Sequence, residues 1–204
     1  MRRPPLIATL VVLLAVGMMI ALGMWQLQRR AWKEALLTRF AAAEQIAAPL
    51  VVTGADLPHD AAYRHVVWAC PETGADQVVA GRNAEGRSGW AHVVLCIHRS
   101  GADATMVPVV LGWSFGLAPV RWAGGALAGV AVPGPKAGVV LPPGSAGPRK
   151  ADWHIVAEPP LAGLVANARP DPRDIPNNHW SYAIQWFSFA STALIIYILA
   201  LRRR

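Results

Sequence analysis

The chain has 204 residues, of which 54% are apolar and only 15% are charged, and its formal net charge is +7. A charged fraction so far below the usual ~25% is atypical of a wholly soluble protein. The excess positive charge lies mostly at the ends of two apolar runs and forms no basic stripe interleaved with aromatic residues, which argues against nucleic-acid binding.

The first apolar run extends from Leu6 to Trp25 without a charged residue. It has the length of about 20 residues that a helix needs to cross a hydrocarbon core of about 30 Å. A cleaved secretion signal is the alternative, but its apolar region would span about 7–15 residues with a small-residue cleavage site directly after it. Here Gln26 follows the run, and two arginines come shortly after, so we expect an uncleaved membrane anchor.

Residues 26 to about 45 are rich in alanine and leucine, which favours a continuation of the same helix until Pro49 stops it. Two adjoining stripes at helical spacing follow this segment: Trp25, Arg29, Trp32 and Leu36, and beside them Gln26, Arg30, Lys33 and Leu37. They are typical of an interfacial helix with a tryptophan belt and cations that reach toward headgroups. A docking surface for another membrane protein is the sharper alternative.

From Pro49 to about Val165, short β-branched runs are separated by glycine, proline, asparagine and aspartate. The runs are AYRHVVWA, DQVVAG, WAHVVLCIHR, ATMVPVVLGW, LAGVAV and KAGVVL. This alternation of β-branched runs and turn residues predicts a small antiparallel β domain of about six strands. Residues 142–150 are the clearest loop, and three prolines within residues 169–178 predict an extended lead into the second span.

A disulfide between the two cysteines would suit an oxidising compartment, but strand alternation argues against it. Cys70 shares a strand face with the apolar Val66 and Trp68, whereas Cys96 shares one with His92 and His98. We therefore expect Cys70 to point inward and Cys96 to point outward.

His92, Cys96 and His98 also suggest a soft site for copper or zinc. Residues two apart on a strand stand about 7 Å apart, so ligands along one strand rarely converge, and an exposed polar face is the better interpretation. The sequence contains no nucleophile motif or phosphate-binding loop, and its acidic residues are scattered, which favours a binding or structural protein over an enzyme.

The second apolar run extends from Tyr182 to Leu201, and its helix is expected to begin near His179. One helical stripe contains His179, Tyr182, Ala183, Trp186, Ala190, Ala193 and Tyr197. An ionisable group at a membrane span is by default a functional hypothesis. A simple interfacial histidine, close packing of another helix on the small alanines, and ligation of haem iron by the imidazole all fit this stripe.

Two spans place both termini on the same side of a membrane. Arg2 and Arg3 precede the first span and three arginines follow the second, which favours cytoplasmic termini. Arg29, Arg30 and Lys33 compete from the other side, but long loops translocate largely regardless of charge. We therefore expect the middle of the chain to lie outside the cytoplasm.

Both ends of the chain resemble the surfeit-locus, or Shy, family of cytochrome oxidase assembly factors. The family pattern G-x-W-Q-L-x-R-x-x-W-K is matched by Gly23, Trp25, Gln26, Leu27, Arg29, Trp32 and Lys33. The pattern N-H-x-x-Y-A-x-x-W-F is matched by Asn178, His179, Tyr182, Ala183, Trp186 and Phe187.

The middle of the chain resembles the family in fewer positions. Tyr63, Arg64 and Val66 match its Y-R-x-V strand. Gly112 and Trp113 match the end of its V-N-R-G-W strand, but Val110 and Leu111 stand at the Asn and Arg positions.

The resemblance implies a factor that matures a haem–copper terminal oxidase by delivering haem a or by forming the haem site of the large oxidase subunit. It makes His179 a candidate ligand of haem iron. Tyr182 and Trp186 would line the site, and Trp25 and Arg29 could face the haem or a propionate. The implied partners are the large oxidase subunit, the enzyme that makes haem a, and the lipid bilayer. A scaffold without haem contact is the main rival, and a copper chaperone that uses Cys96 and His98 is a third alternative.

These inferences predict a multi-pass protein of the bacterial inner membrane. Residues 1–28 would form the N-terminal transmembrane helix. Residues 29–176 would form a periplasmic β-rich (α+β) domain with its leading interfacial helix. Residues 177–204 would form the C-terminal transmembrane helix and a basic cytoplasmic tail.

Overall fold

The computed structural model describes residues 5–58, 60–101, 103–134, 136, 138–140 and 149–203. His59 and most of the loop predicted at residues 142–150 lie outside this part of the chain. The chain divides into two compact units, which are Met1–Thr38 together with Ile175–Arg204, and Arg39–Asp174. We call the first the helical unit and the second the sheet domain.

Two helices form the helical unit. Helix α1 (Leu6–Glu44) continues without a break beyond the first apolar run and ends in the sheet domain, which confirms the predicted continuation to about residue 45. Helix α2 (His179–Arg202) covers the second run. Both are long and apolar enough to cross a membrane.

The helices expose most of their apolar side chains. Buried residues described in them are Val16, Gly23, Ala183 and Ala190. Large side chains elsewhere face outward, as Ile7 does with 82% of its surface exposed. A helix in the core of a soluble domain would bury such side chains, so this exposed apolar surface fits two candidate membrane spans.

The sheet domain contains, within the described residues, one sheet of eight strands. The strands are β1 (Leu50–Val51), β2 (His65–Cys70), β3 (Thr73–Arg82), β4 (Ser88–Ser100), β5 (Asp103–Ser114), β6 (Gly125–Pro133), β7 (Arg149–Lys150) and β8 (Trp153–Ala157). Their order is β1-β2-β6-β8-β5-β4-β3, and β7 pairs with β5. A short 3₁₀ turn, Pro172–Asp174, follows the sheet.

The sheet is mixed, so the prediction of a purely antiparallel domain was wrong. Strand β8 is antiparallel to β6 but parallel to β5, with Val109 opposite Ile155. Strands β5 and β6 run in opposite directions, so any strand inserted between them must be parallel to one of them. The short β1 and β7 add further parallel pairs, to β2 and β5.

Five of the six predicted runs coincide with β2 to β6. The sixth, at residues 136–141, forms no strand in its described residues. There the side-chain amide of Gln77 replaces a ladder partner: it donates to the Val140 carbonyl at 2.8 Å and accepts from the Val140 amide at 3.0 Å. Strand β8 was not among the predicted runs.

Two tryptophans anchor the segment before β2 to the core. The indole N–H of Trp68 donates to the Gly54 carbonyl at 2.7 Å, and that of Trp153 donates to the Ala55 carbonyl at 2.8 Å. The two indole rings meet edge to face with centroids 5.9 Å apart. Each buries its apolar body and satisfies its one donor, as a buried indole should.

Cys70 and Cys96 form a disulfide, with their Cα atoms 5.4 Å apart. The predicted outward orientation of Cys96 was wrong, because both cysteines are almost fully buried. The prediction assumed one exposed face on β4, whereas that strand is buried on both faces from Ala91 to Cys96. Val120 and Trp122, from the loop after β5, pack against the core cluster that contains Cys96.

The interpretation of His92, Cys96 and His98 as an exposed polar face was also wrong. His98 is half-buried, stacks on Trp68 with centroids 4.6 Å apart, and bonds the Ala69 carbonyl at 3.1 Å. His92 is completely buried. No group of three potential metal ligands occurs among the residues that the structure describes.

Each ring nitrogen of His92 has a hydrogen-bond partner on another side chain. Its Nδ1 lies 2.9 Å from Asp76 Oδ2, and its Nε2 lies 2.9 Å from Ser114 Oγ. Ser114 donates its hydroxyl proton to the Gly116 carbonyl, and Asp76 accepts a bond from the Val120 amide. His92 therefore joins β3, β4 and β5 to both ends of residues 116–120, the loop that covers β4.

We expect the Cys70→Ser, Cys96→Ser double variant to lose about 3 kcal/mol of unfolding free energy, since the bond closes a loop whose ends are 26 residues apart. The measurement is denaturant unfolding of the full chain in detergent. Reductant should destabilise the natural protein by a similar amount and leave the double variant unchanged. Equal stability of both proteins without reductant would contradict the bond.

Replacing His92 by alanine should cost about 3 kcal/mol, because it leaves the buried Asp76 carboxylate without its main partner. His98→Ala is the matched control and should cost about 1 kcal/mol, since it removes one bond at a half-buried site. Hydrogen exchange should accelerate at the Val120 amide in the His92 variant only. Similar losses and similar exchange in both variants would refute the role given to His92.

Candidate functional site

Helices α1 and α2 are antiparallel neighbours. Gly23 touches the ring of Phe187 so closely that a Cβ atom at Gly23 would lie 2.5 Å from the ring. Near the other end, Thr9 Oγ1 and Tyr197 OH form a hydrogen bond of 2.5 Å. These contacts fix the register of the two helices along their apolar length.

His179 is the half-buried first residue of α2, and its partner comes from α1. Its Nδ1 lies 2.7 Å from Oε1 of Gln26. An amide oxygen only accepts hydrogen bonds, so Nδ1 carries a proton. In the neutral ring Nε2 then holds a lone pair, and no described residue forms a hydrogen bond with it.

The stripe of Gln26, Arg30 and Lys33 contacts the beginning of α2. The guanidinium of Arg30 lies over the Trp180 ring, 5.0 Å from its centroid, and the Lys33 ammonium donates to the Pro176 carbonyl. Helix α2 has no side-chain N-cap bond of its own. Side chains of α1 therefore position its first turn, so this stripe docks within the chain.

The other stripe of α1 presents a cation between two indoles. The Arg29 guanidinium lies 4.8 Å from the centroid of Trp32 and 6.0 Å from that of Trp25. Both indoles are about half exposed, at 50% for Trp25 and 52% for Trp32. Among the described residues, no carboxylate pairs with Arg29, and its guanidinium lies between the two indole rings.

Tyr182 and Trp186 follow His179 at spacings that place all three on one face of α2. Tyr182 is 51% exposed, and Trp186 meets Phe189 edge to face at 6.2 Å. Among the described residues, no hydrogen bond or ring contact joins either side chain to His179.

The structure thus brings His179 to Gln26, the residue that directly follows Trp25 in α1, with Arg29 one turn further on. Sequence reasoning placed Gln26 on a stripe but missed its pairing with His179. The sequence does single out Gln26, because it is the first polar side chain after the apolar run of α1. It does not indicate that His179 is the partner of Gln26.

A model of the SURF1 family matches residues 13–191. No curated protein matches the chain. The matched range includes Gln26, the described strands and His179, and it confirms the resemblance drawn from the motifs at the two ends. With its two candidate membrane-spanning helices, the chain belongs to the SURF1 family, which is generally associated with cytochrome oxidase assembly.

Proposed function

We propose that this protein helps to assemble a haem–copper terminal oxidase by holding haem a transiently at one end of its helix pair. It would deliver the haem, or help to form the haem site, in the large oxidase subunit. The observation that carries this proposal is the imidazole of His179, whose Nδ1 contacts Gln26 and whose Nε2 forms no hydrogen bond with any described residue, so that Nε2 could ligate iron.

The surroundings of His179 match those of metal-binding histidines. Such a residue usually donates its second ring N–H to an oxygen acceptor, which orients the ring and selects the ligating nitrogen. Gln26 Oε1 supplies that acceptor. The donor set is thus one imidazole nitrogen, a ligand that haem iron commonly accepts.

Haem a would also need apolar contacts and a partner for its propionates. Arg29 suits a propionate because guanidinium pairs well with carboxylate and no described acidic residue already pairs with it. Trp25, Tyr182 and Trp186 would offer aromatic surface beside the ring.

Topology would place this site at the outer rim of a bacterial inner membrane. Arg202 and Arg203 end α2 and favour a cytoplasmic C-terminus, and two spans return the N-terminus to the same side. The sheet domain would then be periplasmic, and its Cys70–Cys96 disulfide suits an oxidising compartment. His179, at the opposite end of α2, would lie at the periplasmic surface.

The protein would perform no covalent chemistry. Asp76, His92 and Ser114 stand in the order of a hydrolase triad, but Ser114 directs its proton to the Gly116 carbonyl and His92 is fully buried. A scaffold that grips the large oxidase subunit without touching haem is the remaining alternative. A copper chaperone is poorly supported, because Cys96 is in a disulfide.

The decisive test is haem content. The full chain, purified from membranes that make haem a, should show a haem absorption spectrum, and His179→Ala should lower haem affinity more than about tenfold because the iron loses its ligand. His65→Ala, which changes a histidine of the sheet domain, should leave the spectrum unchanged.

An unchanged spectrum in His179→Ala would reject the ligand role. If that variant still failed to support oxidase assembly, the scaffold alternative would gain instead. Affinity purification from the same membranes, followed by mass spectrometry, should recover the large oxidase subunit and the enzyme that makes haem a.

A further inference from the structure

We propose that Gln26 is a positioning residue that sets how tightly the site holds haem. Its amide oxygen fixes the His179 ring with Nδ1 protonated, and because the acceptor is neutral it leaves the imidazole a moderate ligand. This inference rests on the proposed role of His179 as a haem ligand, and it concerns how that site retains and releases its cargo.

The backbone that carries Gln26 is held by contacts on both sides of it. About one turn before it, Gly23 packs against Phe187. About one turn after it, Arg30 stacks on Trp180, the residue next to His179. The 2.7 Å bond between Gln26 and His179 therefore joins two groups whose backbones are already held, which is what preorganisation of a ligand requires.

The chemistry of the acceptor determines the strength of the ligand. A carboxylate that accepts from Nδ1 draws the ring toward imidazolate and raises its basicity as a metal ligand. An amide oxygen accepts the same bond without a negative charge, so it orients the ring and raises its basicity less. A carrier that must surrender haem to an oxidase subunit benefits from orientation with limited basicity.

The bond also selects which nitrogen can ligate. Free imidazole exchanges its proton between Nδ1 and Nε2, and a ring protonated on Nε2 would have no lone pair at the free position. In the arrangement that the structure describes, Gln26 favours one form of the ring, because the atom that faces Nδ1 is Oε1, which can only accept. Loss of Gln26 should therefore reduce the share of His179 rings that are ready to ligate before any haem arrives.

Three variants of the full chain in detergent test the proposal: Gln26→Leu, Gln26→Glu, and Gln28→Leu as a control. Gln28 is an exposed glutamine two positions away on the same helix. Removal of a partner of this kind typically weakens metal binding by about 10- to 100-fold, so Gln26→Leu should lose about tenfold in haem affinity. Gln26→Glu should bind haem more tightly than the natural protein, and Gln28→Leu should bind it equally well.

Two readouts separate positioning from simple packing. In the haem-free protein, ¹⁵N NMR of His179, assigned by comparison with His179→Ala, should show the Nδ1–H form in the natural protein and a mixture in Gln26→Leu. In the haem complex, the iron–histidine stretching frequency should rise in Gln26→Glu. If Gln26 only packed the helices together, both Gln26 variants would weaken binding and neither signature would change, which would overturn the proposal.

Different results reject the role of His179 as a haem ligand and the role of Gln26 as a positioning residue. If His179→Ala retains the haem spectrum, the ligand role is rejected, and the proposal about Gln26 is rejected with it. If His179→Ala loses haem while Gln26→Leu keeps its affinity and its single tautomer, only the positioning role of Gln26 is rejected.

Discussion

The close approach of α1 and α2 at Gly23 is the constraint on which the candidate site depends. Lipid is as apolar as the helices, so burial of apolar surface does not drive them together, and small residues that permit dense packing do much of that work. Gly23 against Phe187, with the small residues Ala183 and Ala190 buried nearby on α2, supplies such packing. Only at that separation can an amide on one helix reach an imidazole on the other.

The sheet domain is held by different forces, because it needs a core of its own. Two indoles and a chain of hydrogen bonds centred on a fully buried histidine connect its strands to the segments that cover them, and a disulfide joins β2 to β4. The indoles bond the segment before β2, and His92 joins three strands to the loop after β5. The sequence departs from the family's strand motif at Val110 and Leu111, yet both residues are buried in the central strand β5. The departure therefore exchanges polar side chains for core packing.

Local patterns in the sequence predict the positions of the helices and strands well, but they do not predict which of these elements lie side by side. Hydropathy predicts both helices, and β-branched runs predict β2 to β6, because these signals depend on residues near one another in the chain. Strand order depends on distant segments, so the insertion of β8, and with it the parallel pairing, escaped prediction. The burial of Cys96 followed from a loop that covers the second face of its strand, which alternation alone does not report. His179 was identified from its place at a span, whereas the role of Gln26 needed the register of two helices.

The bond between Gln26 and His179 joins residues 153 positions apart, so the ribosome makes its two partners at different times. The first span leaves the ribosome long before the second, and the whole sheet domain is translated between them. A truncated or half-inserted chain therefore presents an amide with no imidazole beside it. The contact between the two side chains can therefore form only after α2 has been made and has packed against α1.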